Sequence, residues 1–279
     1  MLRALSVELA KARRQRLLLA ALVAVVLLSG LFAWGTWRHP LPSRLPGTAG
    51  GDFVVGGKVT TAPFLAYMVL RIPVGVGLLL PLLLATFTGG LIAGERHQGT
   101  LRTLLVRPVT RAALVAAKLL TAWLYAACLA LFLGGSALLL GYAFFGPGDL
   151  VPLPESSHLV FFSHAEGLLR LAVGYGLAAL VLMALASVGL FFSAVCDNPL
   201  TATGLTAAFL FLTTALAVIP YFESWKPYLL VTYLDLGAKV FVRPFPWPLL
   251  GAGLLHLLPY HLIPAILAGV IFNRRDVLN

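Results

Sequence analysis

Charge is what this sequence has least of. Of its 279 residues only 11% are Asp, Glu, Lys or Arg, while 60% are hydrophobic, and the mean hydropathy is +0.95. A soluble domain carries roughly a quarter charged residues to cover its surface, so a fold solvated by water alone is excluded. Acidic side chains are scarcest, 10 against 20 Lys and Arg, for a formal net charge of +10. That excess does not point to nucleic acid, because the basic residues stand at the ends of apolar runs rather than on one soluble face. The two cysteines, Cys128 and Cys196, both lie in or beside apolar runs, which leaves no basis for a disulfide framework or a thiolate metal site. The basic N-terminal stretch is long and no small-x-small cleavage site follows it, so the first apolar run is expected to stay as a membrane span.

What the sequence does have is long apolar runs. Windows of about 20 mostly apolar residues, the length that crosses a bilayer, recur six times. They fall at Leu17 to Trp37, Phe64 to Ala93, Ala113 to Ala143, Gly167 to Ala194, Leu200 to Pro220 and Leu249 to Phe272. The expected fold is an all-α integral membrane protein, one transmembrane domain over 1–279. Lys and Arg divide unevenly between its two sides. Eleven collect on one (Arg3, Lys11, Arg13, Arg14 and Arg16; Arg96, Arg102, Arg107 and Arg111; Arg274 and Arg275), against six on longer connections of the other. The positive-inside rule then places both termini in the cytoplasm, in a multi-pass protein of the cytoplasmic (inner) membrane. Arg71, Lys118 and Arg170 lie within spans near their ends, with Arg71 and Arg170 expected to snorkel outward.

Two flanking segments have their own character. Residues 1–16 space Leu2, Leu5 and Leu9 along one helical face among basic residues, as an amphipathic interfacial helix on an anionic leaflet would, or as a basic flank that orients the first span. Residues 221–248 repeat Leu229, Leu230, Tyr233, Leu234, Gly237, Val240 and Phe241 at helical spacing, with Trp225, Tyr228 and Trp247 as headgroup-level rings. A helical element lying in the outer leaflet or re-entering it is expected there.

The most punctuated stretch is 94–112, beginning GERHQGTLRTLLVRPVTR. Gly94 and Glu95 close the second span, Gly99 supplies a turn, and Thr100 offers a hydroxyl to cap a new helix. Leu101, Leu104 and Leu105 at i, i+3 and i+4 form one apolar ridge, leaving Arg102 and Arg107 to the polar side. Pro108 ends that helix, and Thr110 is placed to cap the third span. Two helical turns are unstable alone in water, so the ridge needs either the membrane surface or a groove on another protein.

This segment, with Glu95, Gly99, Thr100, Leu101, Leu104, Leu105, Pro108, Val109, Arg111 and Lys118 in order, resembles the connection between the second and third spans of ABC transporter permeases of the type-2 export family. The six spans, the N-terminal helix and the element before the last span resemble the same family along the whole length. The resemblance implies a short cytoplasmic coupling helix that inserts into an ATPase subunit. Its implied partners are two copies of a separate ABC ATPase, a second permease copy or a homologous permease, and the lipid bilayer. ATP and Mg would be held by the ATPase, with no cofactor bound by this chain and no nucleic acid partner. Leu101, Leu104 and Leu105 would dock, Gly99, Thr100 and Pro108 would set the helix ends, and Glu95 and Arg111 would anchor the approaches.

Other functions find less support. The nearest approach to a phosphate loop, GDFVVGGKVT, has Gly57 where Lys is needed and Val59 after Lys58; ATP hydrolysis is expected on another polypeptide, and this chain is not expected to be an enzyme. The alternative is a six-span membrane enzyme or scaffold without an ATPase partner. Its site would draw on outer-loop Asp149, Glu155, His158, His164 and Glu166, or on His256 and His261, none of which has metal-binding helical spacing. Ser193, Cys196 and Asp197 assemble no base and orienting group around a nucleophile; Asp197-Asn198-Pro199 reads as a tight turn between spans four and five. Acidic residues are absent from the middle of every span, which disfavours an ion-coupled carrier. Thr203, Thr206 and Thr213 share a stripe of the fifth span that would face a translocation path, or else bond their own helix. Gly174, Gly176 and Gly189 point to close helix packing in the fourth.

Overall fold

Backbone amides in hydrocarbon must find partners within their own segment, and each apolar run accordingly winds into a helix. The computed structural model describes residues 2–39, 44–46, 52–54, 59–100, 110–153 and 160–274. Helix α1 (Leu2–Arg14) is set off at Gln15 from α2 (Arg16–Arg38), the first span. A short antiparallel pair follows, β1 (Arg44–Pro46) with β2 (Asp52–Val54), a hairpin that composition did not announce. The second span is built from α3 (Ala62–Arg71), a π-helical stretch Val74–Leu79, α4 (Leu80–Leu91) and α5 (Ala93–His97). Spans three to six are α6 (Arg111–Phe144), α7 (His164–Val195), α8 (Pro199–Val218) and α9 (Trp247–Arg274). Six helical stretches among the described residues have the length and apolarity to cross a membrane.

The ends of these helices are written locally. Thr110 Oγ1 accepts from the Ala113 amide at 3.3 Å and opens α6 as expected. Asn198 Oδ1 accepts from the Leu200 amide at 2.8 Å, with Pro199 in the first turn of α8, so the turn between spans four and five is as short as its sequence suggested. The second span departs from a single rod. Pro73 forces Ile72 into extended backbone and ends α3, and the chain resumes in the wider π winding. It breaks again at Ile92, where the Ser193 hydroxyl of α7 accepts from the amides of Ile92 and Ala93, each at 3.0 Å, and donates to Gly89 O. Ser193 is thus a plug in a helix break.

Helix α7 is the axis, the most buried of the six, with α4, α6 and α9 around it; α2, α8 and α9 are mostly exposed on the outside of the bundle. Gly174 of α7 touches Gly237 backbone, and Gly189 meets Thr88 of α4, as close packing requires; Gly176, expected alongside them, has open space instead. The element between α8 and α9 also differs from its expectation. It runs as three 3-10 turns, Pro220–Tyr228, Leu230–Tyr233 and Ala238–Val240, rather than one surface helix. Its seven helically spaced residues are all buried against the bundle, while Trp225, Tyr228 and Trp247 are exposed. Arg170 does not snorkel. It is buried, donates to Val240 O and to Val242 O (3.0 Å), pairs with Glu166 at 3.1 Å, and lies 4.2 Å from the Phe162 ring centroid, tying this element to α7. Its environment supplies both carbonyls and a carboxylate, so reaching water is unnecessary.

Candidate functional site

Helix α1 and the end of α9 sit at one end of the bundle, since α1 lies on the start of α6 and Arg111 Nη1, at the first residue of α6, donates to Asn273 O near the end of α9 (3.0 Å). The charges there form a closed ring across three elements. Lys118 of α6, 0% exposed, pairs with Glu8 of α1 at 3.3 Å and with Glu95 of α5 at 2.8 Å. The Glu95 Oε2 contact is an ion pair rather than a directed hydrogen bond. Lys11 closes the ring, donating to Glu8 Oε1 at 3.1 Å and Glu95 Oε1 at 2.8 Å. The buried Glu8 and the partly buried Glu95 therefore face two ammonium groups, which is what makes burial of Lys118 tolerable. Burial pulls the Lys11 ammonium down, but the hydrogen bond and charge of Glu95, with Glu8 behind it, outweigh that and hold it above the usual lysine value.

Next to the ring, Arg96 Nη1 donates to Cys196 O and Asp197 Oδ1, both at 2.9 Å, and so caps the end of α7 and fastens α5 to the turn before α8. Gly99 follows with φ +70 and its amide on Arg96 O, the left-handed turn predicted for it. Thr100 Oγ1 donates to Glu95 O at 3.2 Å, reaching back to the helix it leaves. Leu101, Leu104, Leu105 and Pro108, with Arg102, Arg107 and Val109, lie outside the described residues. Both ends of their connection are nonetheless tied in: Glu95 and Arg96 on one side, Thr110 and Arg111 on the other.

Of the predicted site residues, the structure brings Glu95 into the ring, places Gly99 and Thr100 one turn further on, and seats Arg111 against the last span. Thr206 and Thr213 are buried and donate to Ala202 O (2.8 Å) and Leu210 O (2.9 Å) of their own helix; Thr203 does the same to Pro199 O (2.9 Å), beside Gly89 of α4. Thr203 lies against α4 and Thr206 beside Gly189 of α7. Glu8, Arg96 and Ser193 were not marked as site residues. Glu8 carried a signal, being the only acidic residue before Asp52 and one helical turn from Lys11.

The candidates on the connection between α6 and α7 are occupied by structure. His164 reaches Gly148 O and Tyr142 Oη at 2.9 and 3.0 Å, Asp149 Oδ1 accepts from the His164 amide, and Glu166 serves Arg170 and Arg243. Glu155 and His158 lie outside the described residues. No group of three or more metal-type ligands occurs among the described residues.

Six membrane-length helices with a charge-locked connection between the second and third define a polytopic integral membrane protein. More narrowly, the chain belongs to the ABC-2 transporter family: the family model described as ABC-2 family transporter protein matches residues 4–150. The uncharacterized protein YhcI of Bacillus subtilis (strain 168) is 30% identical over 196 residues, 68% of this chain. The chain spans about 62% of that curated relative's length.

Proposed function

We propose that this chain is the membrane subunit of an ATP-driven exporter of the cytoplasmic membrane, with both termini cytoplasmic, working with a second permease copy or a homologous one and two copies of a separate ATPase. The observation that carries the reading is the anchoring of both ends of residues 101–109. Closure of an ATPase is a rigid-body motion, and only a stiff attachment passes it to the spans. Here Glu95 is held by Lys11 and Lys118, Arg96 by the α7 end, and Arg111 by the α9 end, so displacement of the connection pulls on α1, α4, α6, α7 and α9 together. Leu101, Leu104 and Leu105 form the docking ridge in this reading, each burial contributing about 1.5–3 kcal/mol. ATP and Mg belong to the partner. For the path, the Thr203, Thr206 and Thr213 stripe becomes accessible only as α8 parts from α4, a motion that the coupling connection can drive through α4.

The test is affinity purification of the tagged chain from membranes, wild type beside Leu101→Asp/Leu104→Asp. Recovery of a phosphate-loop ATPase with wild type and its loss from the variant, at equal permease recovery, is expected. Equal ATPase recovery from both would overturn the docking role, and no ATPase with either would overturn the exporter reading.

A further inference from the structure

Beside the charge ring a cleft of about 840 Å³ opens between the α1–α2 elbow, α4 and the start of α8, within the ~300–1,000 Å³ range of small-molecule sites. Its walls differ. The α1–α2 elbow brings Lys11, Arg14 and Arg16, while Leu17 of α2 and Phe87 and Leu91 of α4 supply apolar lining. Glu8 and Glu95 also reach it, but both are spoken for by Lys11 and Lys118. Arg14 and Arg16 are exposed, and neither has a carboxylate partner among the described residues. The cleft mouth therefore presents two free guanidinium groups, the side chain best suited to a phosphate. The floor is kept low by Gly90, around which a Cβ would meet nothing within 4 Å.

A pair of cations above an apolar wall, at the end of a membrane bundle where α1 meets the first span, matches an amphiphile with an anionic head and a hydrocarbon tail. We propose that this cleft is a binding site for an anionic phospholipid of the adjoining leaflet, its phosphate held by Arg14 and Arg16 and the start of its acyl chain lying along Leu17, Phe87 and Leu91. A phosphate without a tail leaves the apolar wall wet; a zwitterionic lipid leaves the guanidinium pair uncompensated. The occupant touches both α1 and α4 beside Glu8, Lys11 and Glu95, so it braces the helix that the ring holds.

Generic attraction of a basic helix to an anionic surface is the competing explanation, and Arg13 separates the two. It is exposed beside Arg14 on α1 with the same charge, yet does not line the cleft. The experiment is native mass spectrometry of the full chain from detergent, titrated with dioleoylphosphatidylglycerol or dioleoylphosphatidylcholine, with glycerol phosphate as soluble competitor. Expected are preferential retention of phosphatidylglycerol by wild type, a loss of about tenfold or more in Arg14→Ala/Arg16→Ala, and a change below about twofold in Arg13→Ala. Gly90→Leu, which fills the cleft without touching its charge, should lose the lipid as well. Equal loss in Arg13→Ala, equal retention of the two lipids, unchanged binding in Gly90→Leu, or full displacement by glycerol phosphate would each overturn the site. Only variants that elute as the wild type by size exclusion count.

Discussion

Glu8 and Lys118 stand 110 residues apart and meet at 3.3 Å, the lysine fully buried and the carboxylate nearly so. Removing one partner from such a pair strands the other, at a cost of about 3–5 kcal/mol, whereas replacing both with apolar side chains is often near neutral. Lys118→Met alone is therefore expected to lower the temperature at which the detergent-solubilised protein loses monodispersity. Lys118→Met with Glu8→Leu should recover part of that loss, because Lys11 still neutralises Glu95; purely additive losses would show that the pair is not coupled. Lys11 gives a pH prediction. Its ammonium is held above the ordinary lysine value of 10.5, so the stabilisation it lends α1 is fully present below that value and disappears as pH rises through the higher folded value. Protease accessibility of α1 should stay low through pH 10 and rise only beyond 10.5. A rise centred at or below that point would mean the lysine is not held by the carboxylates.

Among elements, the second and fourth spans depend most on close contacts. Ser193→Ala takes the acceptor from two amides at the Ile92 break, and each buried donor left unpaired costs about 1–3 kcal/mol. A clear fall in thermal stability is expected, with Ser193→Thr, which keeps the hydroxyl, closer to wild type. The three glycines of α7 that looked alike in sequence separate cleanly. At Gly174 a Cβ would come within 2.8 Å of the Gly237 carbonyl, a backbone atom that cannot step aside, whereas at Gly176 it meets nothing. Gly174→Ala should thus disrupt the seat of the outer element, and Gly176→Ala should be neutral or stabilising by up to about 1 kcal/mol through helix propensity. Parallel melting curves of the two variants decide this. The same comparison shows what spacing misses: glycine periodicity marks where helices are able to approach, and only the neighbour determines whether they do.

For the whole molecule, the contacts gather α1 and the end of α9 on one side of the bundle, and the cytoplasmic placement of that side, which the proposed function takes from Lys and Arg density, is open to a direct test. In a background of Cys128→Ser and Cys196→Ser, Ala10→Cys should be shielded from an impermeant maleimide added outside intact cells, and Glu223→Cys should label readily. The reverse pattern would invert the topology on which the exporter reading stands. Burial is uneven across the bundle, with α7 enclosed and α2, α8 and α9 largely uncovered on its outside.

Local chemistry made much of this legible without coordinates. A span is a matter of how many consecutive apolar residues occur, and the runs at 17–37, 113–143 and 249–272 fall inside helices Arg16–Arg38, Arg111–Phe144 and Trp247–Arg274. Caps depend on one turn of chain, so Thr110, Asn198-Pro199 and Gly99 act as their residue types imply. The seven residues at helical spacing between α8 and α9 predict a helix in the leaflet; they are instead buried against the bundle in 3-10 turns, where Gly237 closes on Gly174 and Arg170 takes the Val240 and Val242 carbonyls. What the tertiary structure alone decided was partnership: that Glu8 serves Lys118, that Ser193 fills a break in another helix, that Arg170 turns inward, and that Arg14 and Arg16 face a cleft. A side chain's periodicity says which face it occupies. The charge or carbonyl waiting on the far side of that face comes from a helix tens of residues away, and nothing within one turn of sequence encodes which helix that will be.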